Sequence, residues 1–374
     1  MILLKYDGPS GYLRSTLSAL HIPVESQMVV CSKTSLQRAL ISPSNPRSIF
    51  FNDSVAAAWV PGEPFVEVAV EDPQQGVLFY TLDQKASGPV QFTRQDRCLQ
   101  CHESNAALGV PGMLVRSEFT APNGYAMQQL GEFVSDHRSP FEERWGGWYV
   151  TGKVGGLRHM GNLMFADSKV AEPVSKVGEI SSLDGRFDTT AYLSPYSHVI
   201  ALMVFDHQMR MMNLFTSSGW EVRSALYDRQ KGPTSGTEPP AVATVLREAA
   251  NEVVDYMLFV DEAPLHGKIE GTSGFAEEFA ARQPRDSKGR SLRQFDLERR
   301  LMRFPCSYMI YSDAFEGLPA ELKHAIYQRM WQILSGQEKA QKYSRLSSPD
   351  RQAVVEILRE TKQGLPDYFQ AISR

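Results

Sequence analysis

The sequence predicts an α+β fold with a β-containing N-terminal half and a helical C-terminal half. Three patterns predict it: short apolar runs between turn residues over 47–83, a glycine-rich stretch of short apolar segments over 88–167, and apolar positions at helical spacing after about residue 190.

Taken in order, Ser48–Phe51, Val55–Val60, Phe65–Val70 and Val77–Leu82 read as strands. Asn52-Asp53, Pro61-Gly62 and Asp72-Pro73 bound them as turns. Met113-Leu114-Val115, Trp148-Tyr149-Val150 and Leu163-Met164-Phe165 are candidates for further short strands among loops. Ser194-Pro195 resembles an N-cap and first helical position, opening a long apolar helix to about Tyr227. Lys231–Pro240 then reads as a loop, followed by helices near 240–260, 319–335 and 349–362. The last of these has Ser348 as cap, Pro349 in the first turn and Gly364 past the end. Three segments are expected: a mixed or β region over 1–95, a loop-rich region with short strands over 96–190, and a helical region over 191–374.

With 374 residues and 42% apolar composition, the chain can bury a substantial core. Net charge is −4, from 39 basic and 43 acidic residues, so the overall balance argues against a nucleic-acid-binding or lipid-surface protein. No apolar run approaches the roughly 20 residues of a membrane-spanning helix. The opening MILLKYDGPSGYL is too short and unflanked for a signal peptide.

Chemistry concentrates at Cys98-Leu99-Gln100-Cys101-His102, a C-x-x-C-H sequence. Two thiols at this spacing can add to the two vinyl groups on one porphyrin edge. The adjacent imidazole then falls beneath the ring, where it reaches the iron. A zinc site would want further paired ligands, and Cys31 and Cys306 offer none. A thioredoxin-like dithiol would want a βαβ context that is missing here. Cys31 and Cys306 themselves read as buried thiols rather than a bridge. One covalent haem c is therefore expected, on Cys98, Cys101 and His102. Attachment after export puts the protein on the periplasmic or extracellular side of the cell envelope, so a leader or anchor is expected ahead of the sequence.

The sixth iron ligand decides between electron transfer and small-molecule chemistry. Met160 or His159, in Arg158-His159-Met160-Gly161-Asn162, are the first candidates, Met160 lying 58 residues beyond His102. His207 is the next, on a helix apolar on both faces, where a buried histidine needs a partner. Iron is one option for it, and a carboxylate or other core partner is another. A water or an open position completes the set. His137 could support the cofactor from behind. Trp145 and Trp148 flank Gly146-Gly147, where backbone could approach a flat cofactor with a tryptophan packed on it; a tight turn with core tryptophans accounts for the run equally well. The arginine-rich stretch 282–303 could pair with haem propionates, attract an acidic redox partner, or form a solvated face.

Several phrases, among them Ser32–Gln37, Phe79–Gln84, Glu142–Gly152, Arg158–Asn162 and Phe304–Ser312, resemble those of large exported bacterial proteins that carry a cytochrome c domain. The resemblance spans nearly the whole chain. It implies export and covalent haem on Cys98, Cys101 and His102, and departs from the family at the N-terminus, where a leader is expected. The expected function is a monohaem c-type cytochrome passing electrons to or from a larger redox partner, with association to a membrane complex as an option. A haem enzyme acting on peroxide or another small oxidant is the rival, because about 270 residues follow the motif. A gas- or redox-sensing subunit is a third reading.

Overall fold

The short apolar runs over residues 47–83 form strands, as the sequence predicts, and consecutive strands pair antiparallel as a meander. In the computed structural model, which describes residues 4–85, 90–166, 179–231 and 241–370, the strands are β1 (Met28–Val30), β2 (Arg47–Phe51), β3 (Val55–Trp59), β4 (Phe65–Asp72), β5 (Gly76–Asp83), β6 (Phe92–Arg94), β7 (Val115–Glu118), β8 (Glu132–Ser135) and β9 (Trp148–Tyr149). Seven of them form one antiparallel sheet in the order β6-β5-β4-β3-β2-β1-β9, and β7 pairs with β8 as a separate hairpin. The turns have local causes. Asn52 Oδ1 accepts from the Ser54 and Val55 amides, and Asp72 Oδ1 accepts from those of Gln74 and Gln75. Leu163–Phe165 is not a strand; the Phe165 amide donates to the Thr120 carbonyl and pairing goes no further.

Alternation also sorts side chains between two layers. Phe50, Ala57, Trp59, Val66, Val68 and Leu82 face α1 (Leu13–Ala19). Met28, Ile49, Phe51, Ala56 and Ala58 face the helical layer. After the one-turn helix α2 (Leu99–His102), that layer comprises α3 (Val199–Lys231), α4 (Val242–Met257), α5 (Phe275–Ala281), α6 (Asp313–Glu316), α7 (Ala320–Leu334) and α8 (Ser348–Thr361). Small side chains at Ala56 and Ala58 let α3 lie close on the sheet. Phe51 bridges the layers, its ring 4.9 Å from that of Phe205 and 5.7 Å from that of Phe275.

Two helix starts differ from the sequence reading. Residues 194–198 are not helical, because residues at and beside the sheet edge claim their hydrogen bonds. Gln27 Nε2 donates to the Ser194 and Tyr196 carbonyls, and Ser197 exchanges bonds with Tyr149 and Thr151. Helix α3 therefore begins at Val199, with His198 Nδ1 accepting from the Ile200 amide. For α8 the cap is Ser347, whose hydroxyl accepts from the Asp350 amide. Of the loop expected at Lys231–Pro240, Lys231 is the last residue of α3, and the rest lies outside the described residues.

The three segments expected from sequence share one core. It takes Met28 and Phe51 from the first, Val115 and Trp145 from the second, and α3 to α8 from the third. Among the described residues no helix is long and apolar enough to cross a membrane. Replacing Phe51 by alanine removes a fully buried ring shared by three elements. Urea unfolding is expected to show a loss of about 3–5 kcal/mol, with the midpoint lowered and the slope unchanged.

Candidate functional site

Strand β6 ends at Arg94, and Gln95 Nε2 then ties the chain back to Thr81 Oγ1 at 2.9 Å. A single tight turn over Asp96–Cys98 leads into α2. Cys98 and Cys101, three apart on this helical turn, share a face, and both are free thiols. Cys98 is half-buried and Cys101 exposed. Burial is the main reason the Cys98 thiol is pushed up to about 11, with Glu67 adding to it.

His102 is held from behind. Its Nδ1 lies 2.9 Å from the Gly112 carbonyl, and the Gly112 amide donates to the His102 carbonyl at 2.8 Å. A carbonyl only accepts, so Nδ1 carries the proton and Nε2 keeps its lone pair. Among the described residues nothing hydrogen-bonds Nε2. The Phe79 ring packs 4.7 Å from the imidazole, and burial lowers its pKa, favouring the neutral form. Gly112 has a steric reason to be glycine: a Cβ there would stand 2.2 Å from Asn213 Oδ1.

Charged groups surround this turn. Arg47 and Glu67 form an ion pair on β2 and β4, and the charges of both act on Cys98 and on His102. Arg116 on β7 also acts on His102 and pairs with Glu118, at 3.2 Å, and with Glu132. Among the described residues no three His, Cys, Asp or Glu side chains converge as a metal-binding group. The residues present do suit a covalent haem: two unbridged thiols at thioether spacing, beside an imidazole whose tautomer leaves one nitrogen free. Cys31 and Cys306 are buried and unbridged, as expected, and burial pushes both thiols up to about 12.

Met160, the first distal candidate, is buried, its sulfur 3.8 Å from Ser117 Oγ. His159 packs edge-on against Trp145, at 5.3 Å, in the same core, and its buried Nδ1 has no partner. His207 has both ring nitrogens engaged. Its Nδ1 lies 2.7 Å from His137 Nδ1 and its Nε2 lies 2.7 Å from Ser307 Oγ, so a core partner satisfies it, but the partner is a second histidine rather than a carboxylate. Tyr256 stacks on both imidazoles.

Trp145 and Trp148 act as core anchors. Trp145 Nε1 donates to Asp206 Oδ2 at 3.0 Å, and Trp148 Nε1 donates to the Arg116 carbonyl at 2.8 Å, the latter bracing the strand beside the motif. Arg144, fully buried, donates to the His137 and Ser139 carbonyls and lies 3.5 Å from Asp206, whose carboxyl burial raises to about 7. Five of the arginines over 282–303 pair with acidic neighbours within the fold: Arg282 and Arg293 with Asp53, Arg290 with Asp286 and Glu356, Arg299 with Asp296, Arg300 with Asp350.

Sequence reasoning missed Gly112, Phe79, Arg47, Arg116 and Asn213. Only Pro111-Gly112, ten residues past the motif, carried a local signal. No family model matches the chain, and neither curated proteins nor solved structures provide a match to it.

The histidine pair makes a pH prediction. Burial lowers His207 to about 3, so the folded state refuses a proton that the unfolded chain binds below about pH 6.5. Stability present above that pH is lost as pH falls toward 3, and at pH 5 this group alone has removed about 2 kcal/mol. Urea unfolding between pH 7.5 and pH 5 should show a shallower loss in His207→Phe than in the wild type. Asp206 contributes with the opposite sign in both proteins. Equal slopes would show that His207 is protonated in the folded state.

Proposed function

We propose that this chain is a monohaem c-type cytochrome, matured outside the cytoplasm, that passes electrons to or from a larger redox partner. The observation that carries the reading is the Nδ1 bond from His102 to the Gly112 carbonyl, with Nε2 left unbonded beside two free thiols. Cys98 and Cys101 would form the thioethers, and His102 Nε2 would bind the iron. A haem so held supplies reversible one-electron chemistry at its iron.

The chain's own residues then orient and insulate. Gly112 fixes the imidazole plane and tautomer, which raises ligand basicity. Phe79 packs on the ring, and exposed Cys101 leaves one edge of the site open to a docking partner. The sequence resemblance to exported cytochrome c domain proteins points the same way.

A second reading, a haem enzyme with an open distal position, is favoured by one observation. Both ring nitrogens of His207, one of the distal candidates, are already engaged by His137 and Ser307.

Spectroscopy separates the readings. Protein produced with export and haem-attachment machinery should keep its pigment in acidified acetone, and the pigment should extract from a Cys98→Ala, Cys101→Ala variant. Colourless wild type would overturn both readings. A low-spin iron indifferent to cyanide and carbon monoxide supports the carrier; a high-spin iron that binds them supports the enzyme. Met160→Ala and His159→Ala test the distal assignment: loss of low-spin character in either identifies that residue as the ligand, and an unchanged spectrum in both removes the pair.

A further inference from the structure

A cavity of about 170 Å³ opens between α3 and the β7–β8 hairpin, with Ala106 and Met113, from the segments following the motif, in its wall. Its polar lining is unusual. Arg210 on α3 is half-buried, and among the described residues its guanidinium makes no ion pair and no hydrogen bond; its Nε is fully shielded from solvent and unpartnered. Ser135, only 3% exposed, also presents a buried hydroxyl without a partner. Asp136 lines the cavity too, its carboxylate engaged by Arg138 at 2.8 Å and also under the influence of the Arg210 charge, and Asn213 Oδ1 is a third buried atom of the lining without a partner.

A buried donor without a partner costs about 1–3 kcal/mol, more for a charged group. A guanidinium without an ion-pair partner and a buried hydroxyl without a partner, lining one cavity, point to an acceptor with negative charge. We propose that this cavity is an oxyanion site for a carboxylate or small phosphate-like group, held by the Arg210 guanidinium and the Ser135 hydroxyl. At ~30 Å³ per water-sized unit the space suits a carboxylate arm or a compact anion, and not a nucleotide. Two sources offer that chemistry: a propionate of the covalent haem, or a free anion. The site stands on its own residues, and only the propionate source rests on the haem reading.

The test uses the full chain, matured, with acetate and inorganic phosphate as probes. Thermal unfolding against probe concentration reads a free anion, whether or not the protein is coloured. Reduction potential against pH reads a propionate. If a free anion binds, both probes raise the wild-type unfolding temperature, and Arg210→Gln weakens apparent affinity about tenfold or more, with Ser135→Ala weakening it less. Arg210→Lys should recover part of the loss. If a propionate fills the site, the probes have no effect, and Arg210→Gln instead moves the pH at which the potential changes, while Ser135→Ala moves it less. Wild type indifferent to both probes, with a potential profile unchanged in Arg210→Gln and Ser135→Ala, overturns the proposal. Colourless protein that still responds to the probes leaves the site standing and removes the haem reading.

Discussion

Everything in this molecule is arranged around a helix that has no solvent-facing side over most of its length. Helix α3 runs about 50 Å, and from Val199 to Gly219 nearly every side chain is buried. The buried positions include polar ones, and a buried polar group is tolerated only when bonded. Asp206 receives Trp145, His207 meets His137 and Ser307, Gln208 bonds the Asn52 carbonyl and Tyr308, and Asn213 donates to the Met113 carbonyl. The partners come from several neighbouring segments, Ser307 and Tyr308 sharing one. One helix thus sets the position of the sheet turn, the tryptophan turn, the C-terminal layer and the motif loop.

The last of those bonds matters most for chemistry. Asn213 holds Met113, its other amide atom sits against Gly112, and the Gly112 carbonyl orients His102. The sheet meets the same histidine from the opposite direction through Phe79 on β5. An imidazole braced by a helix through main-chain atoms and by a strand through an aromatic face has little freedom to tilt. Gly76 adds to the clamp: its positive φ and the Pro111 carbonyl leave no room for a side chain where β5 meets the motif loop.

What the sequence disclosed divides along physical lines. Strands β2 to β5 were legible because period-two alternation and side-chain-driven turns are local. The C-x-x-C-H turn stood out because its cysteine and histidine spacing is local to five residues. The start of α3 was not, since Ser194-Pro195 has the local chemistry of a helix start, and bonds from residues far away in sequence keep it out of the helix. The arginines over 282–303 looked available because the carboxylates that pair with them include Asp53 and Asp350, remote in the chain. His207 was correctly read as needing a buried partner, but that partner, His137, lies 70 residues away. Periodicity places a residue on a face; it does not say which neighbour that face meets.

Strand β9 is only two residues long, yet it closes the sheet, with Val29 opposite Tyr149 and Val30 opposite Trp148. The 117 residues between β1 and β9 return the chain to where it began, so the stretch bearing Cys98 and His102 is enclosed by the architecture rather than appended to it. Such an arrangement cannot be inherited as a movable cassette. Grafting residues 96–190 into another scaffold would leave Trp145 without Asp206 and Met113 without Asn213. Relatives of this fold are therefore expected to vary by insertion in surface loops, keeping the path from β1 to β9 whole.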